Sequence, residues 1–162
     1  MKKIISAVLI NTIIASSVAY AGVDAIKKKQ EAQQLECLAL NIYFETSARS
    51  LADSMAVTDV VLNRVESTRY PNNVCDVIYQ GYKKGSRYCQ FSWYCDGKSD
   101  TPHNEEVWEK SRKFARDMYI HNQFRGITEG ATHYHATYSK PFWSKKLNRI
   151  ARIGAHIFYW EK

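Results

Sequence analysis

The chain has 162 residues, enough for one domain with a sizeable core, and its 45% hydrophobic content is ordinary. With no low-complexity tract and no internal repeat, that composition excludes a disordered chain or a repeat array. The formal charge of +7 suits a polyanionic partner, but there is no nucleic-acid-binding motif and none is expected as a partner.

Met1-Lys2-Lys3 is a positive start, Ile4 to Val18 is apolar with small residues, and Ala19-Tyr20-Ala21 fits a small-x-small cleavage site. Residues 1–21 therefore read as a signal peptide, leaving Gly22 first and lowering the formal charge from +7 to +5. The alternative is a releasable membrane anchor with transient membrane contact, because Ile4 to Val23 approaches the roughly 20 residues needed to span a bilayer. Residues 22–34 form a polar, Lys-rich lead-in, either helical or a solvated linker.

Leu35, Leu38, Ala39 and Ile42 recur at helical spacing, and Glu45 falls at the edge of that apolar face. A carboxyl group there is partly desolvated, which favours its neutral form. A helix end nearby pushes the same way through its dipole. Such a group can act as a general acid. The plainer reading is an ordinary solvated glutamate.

Ser50-Leu51-Ala52-Asp53 reads as a capping box opening a central helix over about 51–66, apolar around much of its circumference. Asn63 and Arg64 within it are expected to bond loop carbonyls or an acid, with a direct substrate role as the alternative. Tyr70-Pro71-Asn72-Asn73 breaks the pattern, Val74 to Tyr79 is a short helical or extended piece, and Gly81 to Arg87 is a basic loop. Four cysteines in an exported chain imply two disulfides. Cys37–Cys75 and Cys89–Cys95 are the favoured pairs among the three possible connectivities. The spacing fits no common zinc pattern, and no metal site is expected. Phe91 and Trp93 also fit core positions at alternate residues of a strand, on one face of it.

Asp96 to Asn104 is a polar loop, and Asn104 caps a helix running to about His121 that packs through Val107, Ser111, Phe114 and Met118. Residues 132–136 read as a strand with His133 and His135 on one face and Tyr134 on the other. Two same-face histidines can bind metal, but a third ligand at convincing spacing is missing. Pro141-Phe142-Trp143 ends that strand. Ile150 to Trp160 is rich in β-formers and completes a small antiparallel sheet, with His156 as a packed, hydrogen-bonded residue.

Several short words occur in order: Cys37-Leu38-Ala39, Tyr43-Phe44-Glu45, Val60 to Val65, Tyr70-Pro71, Val74-Cys75-Asp76-Val77, Cys89 to Trp93, Cys95-Asp96-Gly97, Ala131 to His135 and Ile153 to Tyr159. Together they resemble the SleB/CwlJ family of cell wall hydrolases, over about residues 35–159. The resemblance implies an α+β, lysozyme-like fold, mainly helical with a small antiparallel sheet lining a cleft, with residues 35–162 as one catalytic domain. It implies lytic transglycosylase cleavage of peptidoglycan glycan strands, with the family's catalytic glutamate carried over to Glu45. Many members continue after that glutamate with Ala-Arg-Gly-Glu, whereas here Thr46-Ser47-Ala48-Arg49 follows and Arg49 replaces the second acid.

On this resemblance the expected substrate-binding residues are Tyr43, Gln90, Ser92, Trp93, His133, Tyr134 and His135. The histidines would bond substrate or Glu45. A hydrolytic glycosidase uses a second carboxylate, and Asp53, Asp59 and Glu66 have no periodicity that sets them opposite Glu45. A transglycosylase needs one carboxyl group, because the second nucleophile belongs to the substrate. The alternatives are a hydrolytic muramidase or glucosaminidase, a non-catalytic wall-binding protein, and a metal-dependent amidase built on His133 and His135. The expected protein is a monomer without cofactor, exported to the periplasm or cell envelope.

Overall fold

The computed structural model describes residues 2–47, 50–82 and 89–161, with side chains from Gly22 onward. Ala48, Arg49 and residues 83–88 lie outside the described residues, and with them the Arg49 departure and most of the segment read from the sequence as a basic loop. The element order is α1 (Lys2–Thr46), α2 (Leu51–Glu66), α3 (Val74–Ile78), a 3-10 turn at Ser92–Cys95, α4 (Glu105–Tyr119), β1 (His133–Ala136), a 3-10 turn at Phe142–Lys145, β2 (Asn148–Ile153) and β3 (His156–Trp160). Two compact units divide inside α1, Met1–Gln33 and Gln34–Lys162. In the first, the lead-in is helical rather than a coil, and its residues from Gly22 are exposed. Among the described residues no helix is long and apolar enough to cross a membrane.

In the second unit, the end of α1 buries Leu38, Ala39 and Ile42, the stripe read from the sequence. Thr46 ends the helix, its hydroxyl donating to the Ile42 carbonyl at 2.7 Å. Ser47 follows in the left-handed region at φ 51°, its N–H bonded to the Tyr43 carbonyl at 2.9 Å. Thr46 and Ser54 hydroxyls meet at 2.9 Å, tying the end of α1 to the start of α2.

α2 is the buried spine. Met55, Val61 and Leu62 pack with α1, α3 and α4, while Ala56 and Val60 pack with Ala131 and Phe158 on the sheet side. Ser50 caps it, its hydroxyl accepting from the Asp53 N–H at 3.3 Å. The reciprocal half of the capping box is missing because the Asp53 carboxylate is turned to the sheet, where it accepts from the Ala155 N–H and meets His156 Nδ1, each at 2.9 Å.

α3 is a helix opened by Asn73, whose side chain accepts from the Asp76 N–H. Cys37–Cys75 joins it to α1, and Cys89–Cys95 closes the loop that holds the 3-10 turn. That turn takes the place of the strand read around Phe91 and Trp93, since the disulfide holds the Cα atoms of Cys89 and Cys95 6.1 Å apart across a sequence separation of 6, too close for an extended run. α4 begins as expected, with Asn104 accepting from the Val107 N–H at 3.0 Å.

The sheet is antiparallel in the order β1-β3-β2. The run read as one strand from Ile150 is a hairpin that starts at Asn148, with a register shift between Arg149 and Ala151. The turn falls at Gly154-Ala155, where Gly154 has φ +53°. A Cβ at Gly154 would overlap the Asp53 carboxylate, so the absence of a side chain is what lets Asp53 seat under the turn.

Candidate active site

Glu45 stands on the last turn of α1, half-buried, and its Oε2 accepts from the Tyr134 hydroxyl at 2.9 Å. Burial raises the Glu45 carboxyl above its ordinary value, while the Tyr134 bond and the nearby His156 and Arg64 pull it down. Burial also pushes the Tyr134 phenol well above its usual range, with the Glu45 charge acting in the same sense. Tyr134 is therefore a fixed neutral donor at working pH.

Three positions on α2 deliver Tyr134. The fully buried Asp59 carboxylate pairs with Arg125 and accepts from the Gly126 and Thr128 N–H groups and the Thr128 hydroxyl. Asn63 donates to the Ala131 carbonyl at 2.9 Å and to the Thr128 hydroxyl at 3.1 Å. Arg64 donates through Nε to the Thr132 carbonyl at 2.7 Å. Together they fix residues 125–132, and β1 begins at the next residue. Arg64 has a second set of contacts: its guanidinium lies over Tyr70 and Phe91 and donates to the Gln90 side-chain oxygen at 3.1 and 3.2 Å, with the amide oriented to suit. Only 2% exposed, it is held below its ordinary value by burial. It stays charged, because a guanidinium does not give up its proton in proteins.

The other residues singled out from the sequence are dispersed. His133 and His135 leave β1 on the face away from Tyr134, so the bond to Glu45 comes from the tyrosine between them. His135 Nε2 lies 2.9 Å from the Tyr159 hydroxyl and Nδ1 lies 2.8 Å from the Ala136 carbonyl, which occupies both ring nitrogens. His133 Nδ1 meets the Thr132 hydroxyl at 3.0 Å. Among the described residues no group of three His, Cys, Asp or Glu side chains gathers to hold a metal. Trp93 is core rather than groove wall: it is 7% exposed, stacks on Phe44 at 4.8 Å and donates from Nε1 to Asn41 at 3.0 Å. Phe91 is likewise buried. The Tyr43 hydroxyl accepts from the His103 and Asn104 N–H groups at 3.1 Å, which anchors the start of α4. Gln90 and Ser92 are exposed.

Two contributors escaped the sequence reading. Arg64 and His156, read as structural, also set the electrostatics of Glu45. The signal available was a charged residue inside an otherwise apolar helical stripe, which says that a partner exists without saying which.

Residues 49–159 match the model of the cell wall hydrolase family, and the chain belongs to that family. It is an enzyme that degrades cell wall. The catalytic domain of the germination-specific lytic transglycosylase SleB from Bacillus anthracis is 26% identical, with a TM-score of 0.60 over 78% of this chain and 93% of that one. The catalytic domain of the Bacillus cereus SleB protein is 25% identical, with a TM-score of 0.58 over 78% and 89%. No match was found among curated proteins. The fold is that of these domains, mostly helical with a three-stranded antiparallel sheet. The family match begins beyond Glu45, so the role of that residue is argued from its surroundings.

Proposed function

We propose that the chain cleaves the bond between N-acetylmuramic acid and N-acetylglucosamine in peptidoglycan as a lytic transglycosylase, with Glu45 as acid and then base. Protonated Glu45 gives its proton to the bridging oxygen as the bond from that oxygen to muramic C1 breaks. The muramic C6 oxygen closes on C1 and returns its proton to Glu45. The product is a 1,6-anhydromuramic end, and no water is consumed.

The observation that carries the reading is the half-buried Glu45 carboxyl group at the end of α1, raised by desolvation and bonded by Tyr134. A glycosidase that hydrolyses needs a second carboxylate at a set distance, and the acids of α2 are committed elsewhere. Asp53 holds the hairpin turn, while Asp59 and Glu66 hold Arg125. The germination-specific lytic transglycosylase domain that this chain resembles supports the same chemistry. The positive start and cleavage site favour export to the periplasm or envelope with residues 1–21 removed, and two disulfides suit that compartment. We take the acting form to be a monomer.

The test is mass spectrometry of the products from purified peptidoglycan, with wild type and Glu45→Gln side by side. Anhydromuramic ends from wild type alone are the expected result. Reducing ends would make the enzyme a hydrolase with a second carboxylate still to be found, and free stem peptides would end the glycan reading.

A further inference from the structure

Away from Glu45, the sheet carries an aromatic pocket that no step of the proposed reaction uses. It lies at the end of the β2–β3 hairpin remote from the turn, where Asn148 pairs with Trp160. His133 reaches it from the face of β1 opposite Tyr134. The pocket has a volume of about 570 Å³ and is lined by His133, Trp143, Lys146, Asn148, Trp160 and Glu161. That volume falls in the range of small-molecule sites.

The lining has three parts. Trp143 is braced by His133 and His135 at 5.6 Å and by Tyr159 at 5.5 Å, so one indole is fixed in place. Trp160 is 43% exposed and offers a second, open indole. Rigid aromatic faces with nearby amide and carboxylate groups suit a pyranose, whose C–H face packs on the ring while its hydroxyl and acetamido groups bond Asn148 and Glu161. Charge then selects among sugars. Glu161 is paired with Arg69 at 3.3 Å, which balances it. Lys146 has no ion-pair partner among the described residues, and its ammonium sits 5.8 Å from the Phe142 ring centroid. Among the described residues, the pocket therefore carries one positive charge without an ion-pair partner beside two indoles.

We infer that this pocket is a second saccharide site, separate from the Glu45 centre, which takes a carboxylate-bearing amino sugar of the glycan strand. The inference rests on the proposed function for the identity of the polymer. It gives the enzyme a second grip on an insoluble substrate while Glu45 acts elsewhere on the strand.

The experiment is co-sedimentation of full-length Glu45→Gln protein with purified peptidoglycan, alone and with Trp160→Ala or Lys146→Glu added. Each added change is expected to weaken binding about tenfold, the usual loss on removing one well-packed contact. Soluble oligomers containing muramic acid should compete, and oligomers of N-acetylglucosamine alone should not. In the active protein the same two changes should raise KM on whole peptidoglycan and leave kcat on short soluble fragments unchanged. If both variants sediment like their parent while wild type still cuts glycan, the pocket inference is overturned and the catalytic reading stands. If wild type makes no glycan products and the Glu45→Gln protein does not sediment, both are overturned. Equal competition by the two oligomers would remove the carboxylate from the inference.

Discussion

Two opposed influences meet at the Glu45 carboxyl group. Burial keeps its proton on, and the Tyr134 hydroxyl, His156 and Arg64 favour its release, with burial the larger. An acid catalyst must hold its proton, so kcat/KM should fall as pH rises through the raised Glu45 value. Tyr134→Phe deletes a bond that lowers that value. The alkaline limb of the kcat/KM profile should therefore move to higher pH, and a limb that stays in place or moves down would exclude this coupling. A raised value in the fold also means that Glu45 favours the folded state below its unfolded value of 4.5, and that this contribution is lost as pH rises through the folded value. Glu45→Gln cannot ionise. It should lower kcat about 10³-fold while matching or exceeding wild type in Tm near neutral pH. Calorimetry at neutral and acid pH checks this, since the Tm advantage should vanish in acid.

At the scale of elements, α2 acts as a spine whose apolar faces make the core and whose few polar side chains clamp the sheet at two places. Asp53, near its start, holds the hairpin turn, and Asp59, Asn63 and Arg64, near its end, hold the segment leading into β1. Asp59→Ala would leave the Gly126 and Thr128 N–H groups without their acceptor and Arg125 with Glu66 as its remaining carboxylate partner, at a cost of about 3 kcal/mol. Urea denaturation should show that loss. Gly154→Ala should cost about 2 kcal/mol, from a left-handed backbone and a methyl group against Asp53. Its hairpin amides should lose hydrogen-exchange protection before those of α2, because the turn and not the spine carries the change.

For the whole molecule, the two disulfides tie α3 to α1 and close the loop beside the site. Cys37–Cys75 spans 38 residues and Cys89–Cys95 spans 6, so loop entropy assigns them about 4 and about 2 kcal/mol. Replacing Cys37 and Cys75 by alanine should therefore lower Tm more than replacing Cys89 and Cys95, as read by thermal unfolding.

The 3.6-residue stripes of α1 and α4, the apolar girth of α2, the caps at Ser50 and Asn104 and the alternation of β1 are local patterns, and the chain alone determined them. The glutamate at the end of α1 was legible for the same reason, since burial on a helix face is a matter of spacing. Partnership was not. Tyr134 lies 89 residues from Glu45 and His156 lies 103 from Asp53, and no local rule joins such positions. Alternation separated Tyr134 from His133 and His135 but did not say which face of β1 meets the helices. It likewise could not place Trp93, because an indole satisfies a core or a groove equally well until the Asn41 acceptor is found. Tertiary structure decided these because a buried polar group takes whatever partner the packed chain brings within about 3 Å. Packing brought a phenol to Glu45 and committed the acids of α2 to structural partners.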